Sequence, residues 1–127
     1  MTIIPISSKH APQPSGGYAQ AILLEGHKRL LFISGQIPVA PDGATPPDFR
    51  AQCELVWANV EAQLRAAGMT TRNLVKVTTF LSSRRFVSEN SEIRQRVLGG
   101  HTPALTVIIT GIYDEAWLLE VEAVAAA

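Results

Sequence analysis

Few side chains in this 127-residue sequence have both the type and the setting to do chemistry, and Glu120 is the foremost. It stands in Leu118-Leu119-Glu120-Val121-Glu122, a carboxylate within an apolar run. Such a group either faces solvent or lies in a cleft where lost hydration raises its pKa and suits it to move protons. Composition alone favours solvent, for Glu122 even more than for Glu120. Ser34-Gly35-Gln36, closing an apolar stretch, reads either as a binding turn or simply as a strand end. Asn90 is the polar member of an otherwise apolar helical stripe, at the helix edge or in a site. His10, His27 and His101 are too scattered for metal-ligand spacing. Cys53 is the only cysteine, which excludes an intrachain disulfide and a thiolate cluster. With no G-x-S-x-G, phosphate loop or dinucleotide fingerprint, neither metal nor cofactor is expected.

The elements that must position these groups follow from the hydrophobic pattern. Met1 to Gly17 is rich in Pro, Ser and Gly and reads as an irregular lead-in. Tyr18 to Glu25 and Leu30 to Ile37 read as two strands of a hairpin about Gly26-His27-Lys28. The second opens Leu30-Leu31-Phe32-Ile33, apolar on both pleat faces, so cover on both sides is expected. A helix follows with Thr45 as N-cap, Pro46 at its first position and Asp48 completing a capping box. Its stripe is Phe49, Cys53, Val56, Val60, Leu64 and Ala67, and Gly68 stops it.

Asn73 to Leu81 is a strand with Val75, Val77, Thr79 and Leu81 on one face. A second helix carries Phe86, Asn90, Ile93 and Val97 and ends at Gly99-Gly100. Leu105 to Thr110 and Trp117 to Ala126 are the last strands, the final one able to pair back on its predecessor. The order is therefore β-β-α-β-α-β-β, an α+β domain over residues 1–127 with two helices on one sheet face. The other face still carries Leu, Val and Ile, and copies of the same chain are its economical cover.

Eleven basic and eleven acidic residues cancel, and no dense basic patch exists beyond Arg84-Arg85. A nucleic-acid partner is accordingly not expected. No apolar run approaches the ~20 residues of a membrane span, and Met1 to Pro5 lacks a signal-peptide pattern. The expected compartment is the cytoplasm.

Several segments, taken together and in order, resemble the YjgF/RidA family, also called the endoribonuclease L-PSP family. They are Gly17-Tyr18-Ala19-Gln20, Ile33-Ser34-Gly35-Gln36-Ile37-Pro38, Asn59-Val60, and Ala66-Ala67-Gly68-Met69. Val75-Lys76-Val77-Thr78-Thr79-Phe80-Leu81, Pro103-Ala104 and Leu119-Glu120-Val121-Glu122-Ala123-Val124-Ala125 complete the set. The resemblance implies a chorismate-mutase-like fold and a homotrimer with small-molecule clefts between subunits. It implies hydrolysis of reactive enamines and imines to a 2-oxo acid and ammonia. Tyr18, Ser34 and Asn90 fall on positions that line the cleft, and Glu120 on the residue that activates or positions water. Gly35, Ala104, Leu105 and Thr106 complete the implied substrate-binding set.

One departure stands out. The family's deaminases carry an arginine directly after the Pro-Ala pair, where it grips a carboxylate; here that residue is Leu105. Leucine offers none of guanidinium's charge-assisted hydrogen bonds, a loss on the order of 2–4 kcal/mol. Val107 replaces a frequent cysteine and adds to the apolar character. The leading expectation is an imine or enamine deaminase with an altered substrate, or one whose carboxylate meets another group, with Arg84, Arg85 and His101 as candidates. The alternative is a non-catalytic trimer that binds a metabolite. A ribonuclease or translation inhibitor ranks third, because the charge is neutral and no acid–base histidine pair exists.

Overall fold

The computed structural model describes all residues, Met1–Ala127. In chain order the elements are β1 Thr2–Ile6, β2 Ala21–Glu25, β3 Leu30–Gln36, α1 Phe49–Ala66 and β4 Leu74–Leu81. They continue with α2 Val87–Leu98, β5 Ala104–Ile109 and β6 Leu119–Ala126. Four strands form one sheet in the order β3-β6-β4-β5, and β1 and β2 form a separate antiparallel ribbon.

The first segment is thus not an irregular lead-in throughout: Thr2 to Ile6 pairs with β2, Thr2 opposite Glu25 and Ile6 opposite Ala21. Pro5 is tolerated because this ribbon has free edges, where a missing N–H breaks no inner ladder. The expected β2–β3 hairpin does not form. At the bend, the N–H groups of Lys28 and Arg29 both donate to the Ala127 carbonyl at 2.8 Å, which hands β3 to the C-terminal strand. The last strand also differs from expectation, since β6 does not pair back on β5. It runs antiparallel between β3 and β4, while β5 lies parallel on the outer side of β4. The β4–α2–β5 crossover imposes that parallel pairing. The long apolar alternation of β6 then fits a central position, with Leu119, Val121, Ala123 and Ala125 all buried.

α1 begins later than its sequence signals suggest. Asp48 is the N-cap, its carboxylate accepting the Ala51 N–H at 3.1 Å. Pro46 precedes Pro47, and a residue before proline is pushed out of helical space, so Pro46 cannot open the helix. At the other end, Gly68 (φ 71°) donates to the Arg65 carbonyl and Met69 to the Leu64 carbonyl, the paired bonds of a Schellman stop.

Both helices cover one sheet face. Cys53, Val56, Trp57, Val60 and Leu64 of α1 and Ile93 and Leu98 of α2 join the inward residues of the sheet in one core. Stacked Phe49 and Phe86 rings, 4.4 Å between centroids, tie the start of α1 to the turn before α2. The opposite face has no helix: Phe32 is 73% exposed and Leu30 46%.

Two amides of α1 fix the strand ends that matter for function. Gln52 is buried, donating to the Pro46 and Ala116 carbonyls at 2.8 and 2.9 Å and accepting from the Leu118 N–H at 2.8 Å. That clamps the chain two residues before Glu120. Asn59 donates to the Ile37 and Val39 carbonyls, holding the exit of β3 just after Gly35.

Candidate functional site

The predicted site residues fall into two groups that one chain keeps apart. The first comprises Ser34, Gly35 and Glu120, where β3 meets β6. A register shift between Ile33 and Gln36 places Gly35 against Glu120. A Cβ built on Gly35 would lie 2.7 Å from the Glu120 carboxyl carbon and nearer still to Oε2, so only glycine leaves the carboxylate its place. Because Leu119 and Val121 point into the core, strand alternation turns Glu120 to the helix-free face. Burial raises the Glu120 pKa first, and the neighbouring Glu122 charge raises it further; no ion pair or hydrogen bond opposes them. Exposed Ser34 lies on the rim of a shallow cavity of about 280 Å³ on that face, shared with Phe32, Lys76, Thr78 and Glu122.

The second group lies at the far edge. Ala19 bridges to Ala104, its N–H donating to the Pro103 carbonyl at 3.0 Å, and this brings Tyr18 alongside β5. Here a cavity of about 370 Å³ is lined by Tyr18, Asn90, Ser91, Arg94, Leu105 and Val107 among others. The Tyr18 hydroxyl accepts the Ser15 N–H at 3.2 Å, and hydrogen bonding to Ser15 holds the phenol below its usual range. Asn90 is 1% exposed, and its side-chain oxygen faces Cys53 Sγ at 3.9 Å. Leu105 and Val107 pack towards the core, so Ala104 and Thr106 face the other way and do not join this cavity. Thr106 instead accepts a hydrogen bond from Lys76 Nζ at 2.7 Å.

Glu120 on β6 stands two strand spacings, roughly 9–10 Å, from β5, and Ser34 and Gly35 on β3 stand one spacing further. The two groups also open on opposite sheet faces. Glu120 and Tyr18 therefore do not meet within one chain.

Of the cationic candidates Arg84, Arg85 and His101, none lines this cavity. His101 Nε2 is engaged with the Leu74 carbonyl at 2.6 Å, and Arg85 lies over the Phe86 ring at 4.7 Å. Arg84 sits on the same short 3-10 turn. The sequence reading passed over Arg94, four residues after Asn90 and hence on the same helix face. That spacing was the available signal.

These features define an α+β protein of chorismate-mutase-like fold. The chain belongs to the endoribonuclease L-PSP family, which it matches over residues 8–127. A RutC family protein of Pyrococcus horikoshii is 32% identical over 122 residues, covering 94% of each chain. Escherichia coli TdcF, whose name provisionally assigns it as a reactive intermediate deaminase, is 30% identical over 124 residues, again covering 94% of each. A crystal structure of that protein with bound serine superposes with a TM-score of 0.73 over 98% of both chains. YyfB of Yersinia pestis, a Rid family protein of unknown function, gives 0.86 at 25% identity over the full length of both.

Proposed function

We propose that this protein hydrolyses a reactive imine or enamine to a carbonyl compound and ammonia, in a cleft closed between two copies of the chain. Glu120 carries the reading. Its carboxylate is unpaired, its pKa is raised by burial, and Gly35 vacates the space it occupies. A carboxyl group tuned upward in this way accepts a proton from water and returns it to the departing nitrogen near neutral pH. An enamine first tautomerises to the imine; water then adds across the C=N bond, Glu120 taking a water proton and passing it to the nitrogen, and the resulting carbinolamine gives the carbonyl and ammonia as its hydroxyl proton passes through Glu120 to the departing nitrogen.

Tyr18 and Asn90 would orient the substrate from the neighbouring copy, with Ser34 and Gly35 beside Glu120 on the first. The uncovered face bearing Phe32 and Leu30 supplies the apolar contact for that assembly, a trimer by family resemblance. Ala104 and Thr106, on the same face at the β5 edge, would lie in its wall. This reading places the protein in the cytoplasm without nucleic acid or cofactor, in keeping with a formal net charge of +0. No helix is long and apolar enough to cross a membrane.

The decisive experiment is ammonia release from 2-iminopropionate generated in situ, with wild type and Glu120→Gln compared. Turnover by wild type that Glu120→Gln abolishes supports the proposal; equal rates sink it. The apolar floor of Leu105 and Val107 favours a second reading, a non-catalytic metabolite-binding module. In that case wild type shows no turnover and Glu120→Gln keeps its ligand affinity.

A further inference from the structure

Arg94 is 5% exposed, yet it belongs to none of the chain's ion pairs. Those pairs use Arg50 and Arg96, whose side chains are far more open to solvent. One Arg94 terminal nitrogen donates to Ser91 Oγ at 3.3 Å, and its buried Nε has no partner. Ser91 Oγ also accepts from Gln95 Nε2 at 3.0 Å, which fixes the hydroxyl that steadies the guanidinium. None of the ten residues lining the cavity beside Arg94 is acidic. Cys53, the titratable group whose charge would bear on Arg94, has its thiol pushed up to about 12, chiefly by burial, and stays neutral. A guanidinium keeps its charge even here, and a buried charge left unpaired is expensive. Its five donors form a fork matched to a carboxylate, and most of them have no partner within the chain.

We propose that Arg94 is the anion-recognising residue of this cleft, binding the carboxylate of a small 2-oxo or 2-imino acid that Leu105 cannot bind. The two positions are adjacent in space: Arg94 on α2 and Leu105 on β5 line the same cavity. The positive group sits on the helix that covers the strand, leaving Leu105 and Val107 to contact the apolar part of the ligand. The link to imino acids rests on the deaminase reading above. The carboxylate preference does not, because it follows from the guanidinium and its surroundings.

The test is binding by proton NMR titration of the full-length protein with pyruvate and with pyruvamide, its uncharged isostere. Wild type should prefer pyruvate. Arg94→Met should weaken pyruvate by roughly 30- to 1000-fold, the worth of a lost charge-assisted fork, and leave pyruvamide within about threefold. Arg94→Lys, which keeps charge and bulk, should recover part of the affinity and guards against a folding defect in Arg94→Met. The double variant Arg94→Met/Leu105→Arg should restore pyruvate binding if both positions serve one cavity. Equal affinity of wild type for the two probes, or undiminished pyruvate binding by Arg94→Met, overturns the inference. So does a change of oligomeric state in Arg94→Met with pyruvate affinity intact, which marks a structural contact between copies. Imine turnover measured in parallel separates the two claims. Arg94-dependent pyruvate binding without turnover removes the deaminase reading alone, and turnover indifferent to Arg94 removes this one alone.

Discussion

Gly35→Ala is the sharpest probe of the β3–β6 half of the site. Its φ is not in the left-handed region, so alanine suits the backbone and the perturbation is confined to the added methyl. That methyl would sit 2.7 Å from the Glu120 carboxyl carbon and 3.1 Å from Cγ. Ordinary carbon contacts lie at roughly 3.5–4.0 Å, so the carboxylate must retreat by about 1 Å or more. Glutamate is flexible and Glu120 is partly open to this face, so the retreat costs a rotamer adjustment of about 0.5–1.5 kcal/mol. A shift of about 1 Å in a reacting group, by contrast, lowers rate by about 100-fold. We therefore expect Gly35→Ala to fold, to melt within a few degrees of wild type, and to lose about two orders of magnitude in kcat/KM for ammonia release. In a Glu120→Ala background the same substitution should change nothing further, since the clash is gone. A folded Gly35→Ala retaining wild-type activity within about threefold would refute the placement of Glu120 as the reacting carboxylate. Additive losses in the double variant would do the same.

Other consequences are simpler to measure. With its folded pKa raised, Glu120 binds a proton in the native state that it releases in the unfolded chain, so native stability falls as pH rises through the interval between the two values. Glu120→Gln should accordingly melt progressively higher than wild type as pH climbs from the ordinary carboxylate range towards neutral, and match it well below that range. Cys53 is fully buried with its thiol raised to about 12, chiefly by lost hydration, so a disulfide-exchange reagent at pH 8 should label it only after denaturant is added. Gln52→Leu removes three hydrogen bonds and strands two carbonyls and an N–H. It should cost about 2–4 kcal/mol, seen as a fall of roughly 6–15 °C in Tm, and should slow turnover by loosening the approach to Glu120.

How much of this could be read from the chain depends on the range of the signal. The α1 stripe, the Gly68 stop and the buried face of β4 are local periodicities, and each is present as expected. The Asp48 cap was also within reach, because the Pro46-Pro47 pair forbids an earlier start. Strand partners are another matter. A residue such as Leu31 is equally content beside β2 or β6, and only the C-terminal carbonyl of Ala127, a hundred residues away, decides it. Glu120 could be picked out as a carboxylate in an apolar strand, but its contact with Gly35 depends on a bulge that no pattern announces. Arg94 was the hardest to see. In sequence it is one of two arginines in a polar helix, and what distinguishes it is the absence of an acidic partner, which only the packed structure reveals.

The proposed division of the site between two copies accounts for the face that this sheet leaves uncovered. Were Glu120 and the Tyr18–Asn90–Arg94 cavity on one face of one chain, Phe32 and Leu30 would have no reason to be exposed, and a third helix could bury them. In the proposed cleft, the two groups, which open on opposite sheet faces, meet when the helix-free face of one copy receives the β5 edge of the next. Such a contact is heterologous, so the proposed trimer requires that its repetition close into a ring. In that assembly, burial of the apolar face would also remove water from around Glu120, which acts in the same upward direction on its pKa as burial within the chain. Activity should thus disappear on dilution below the assembly threshold before any loss of secondary structure, and a charged substitution such as Phe32→Glu should abolish it while leaving the helical circular dichroism of the chain in place.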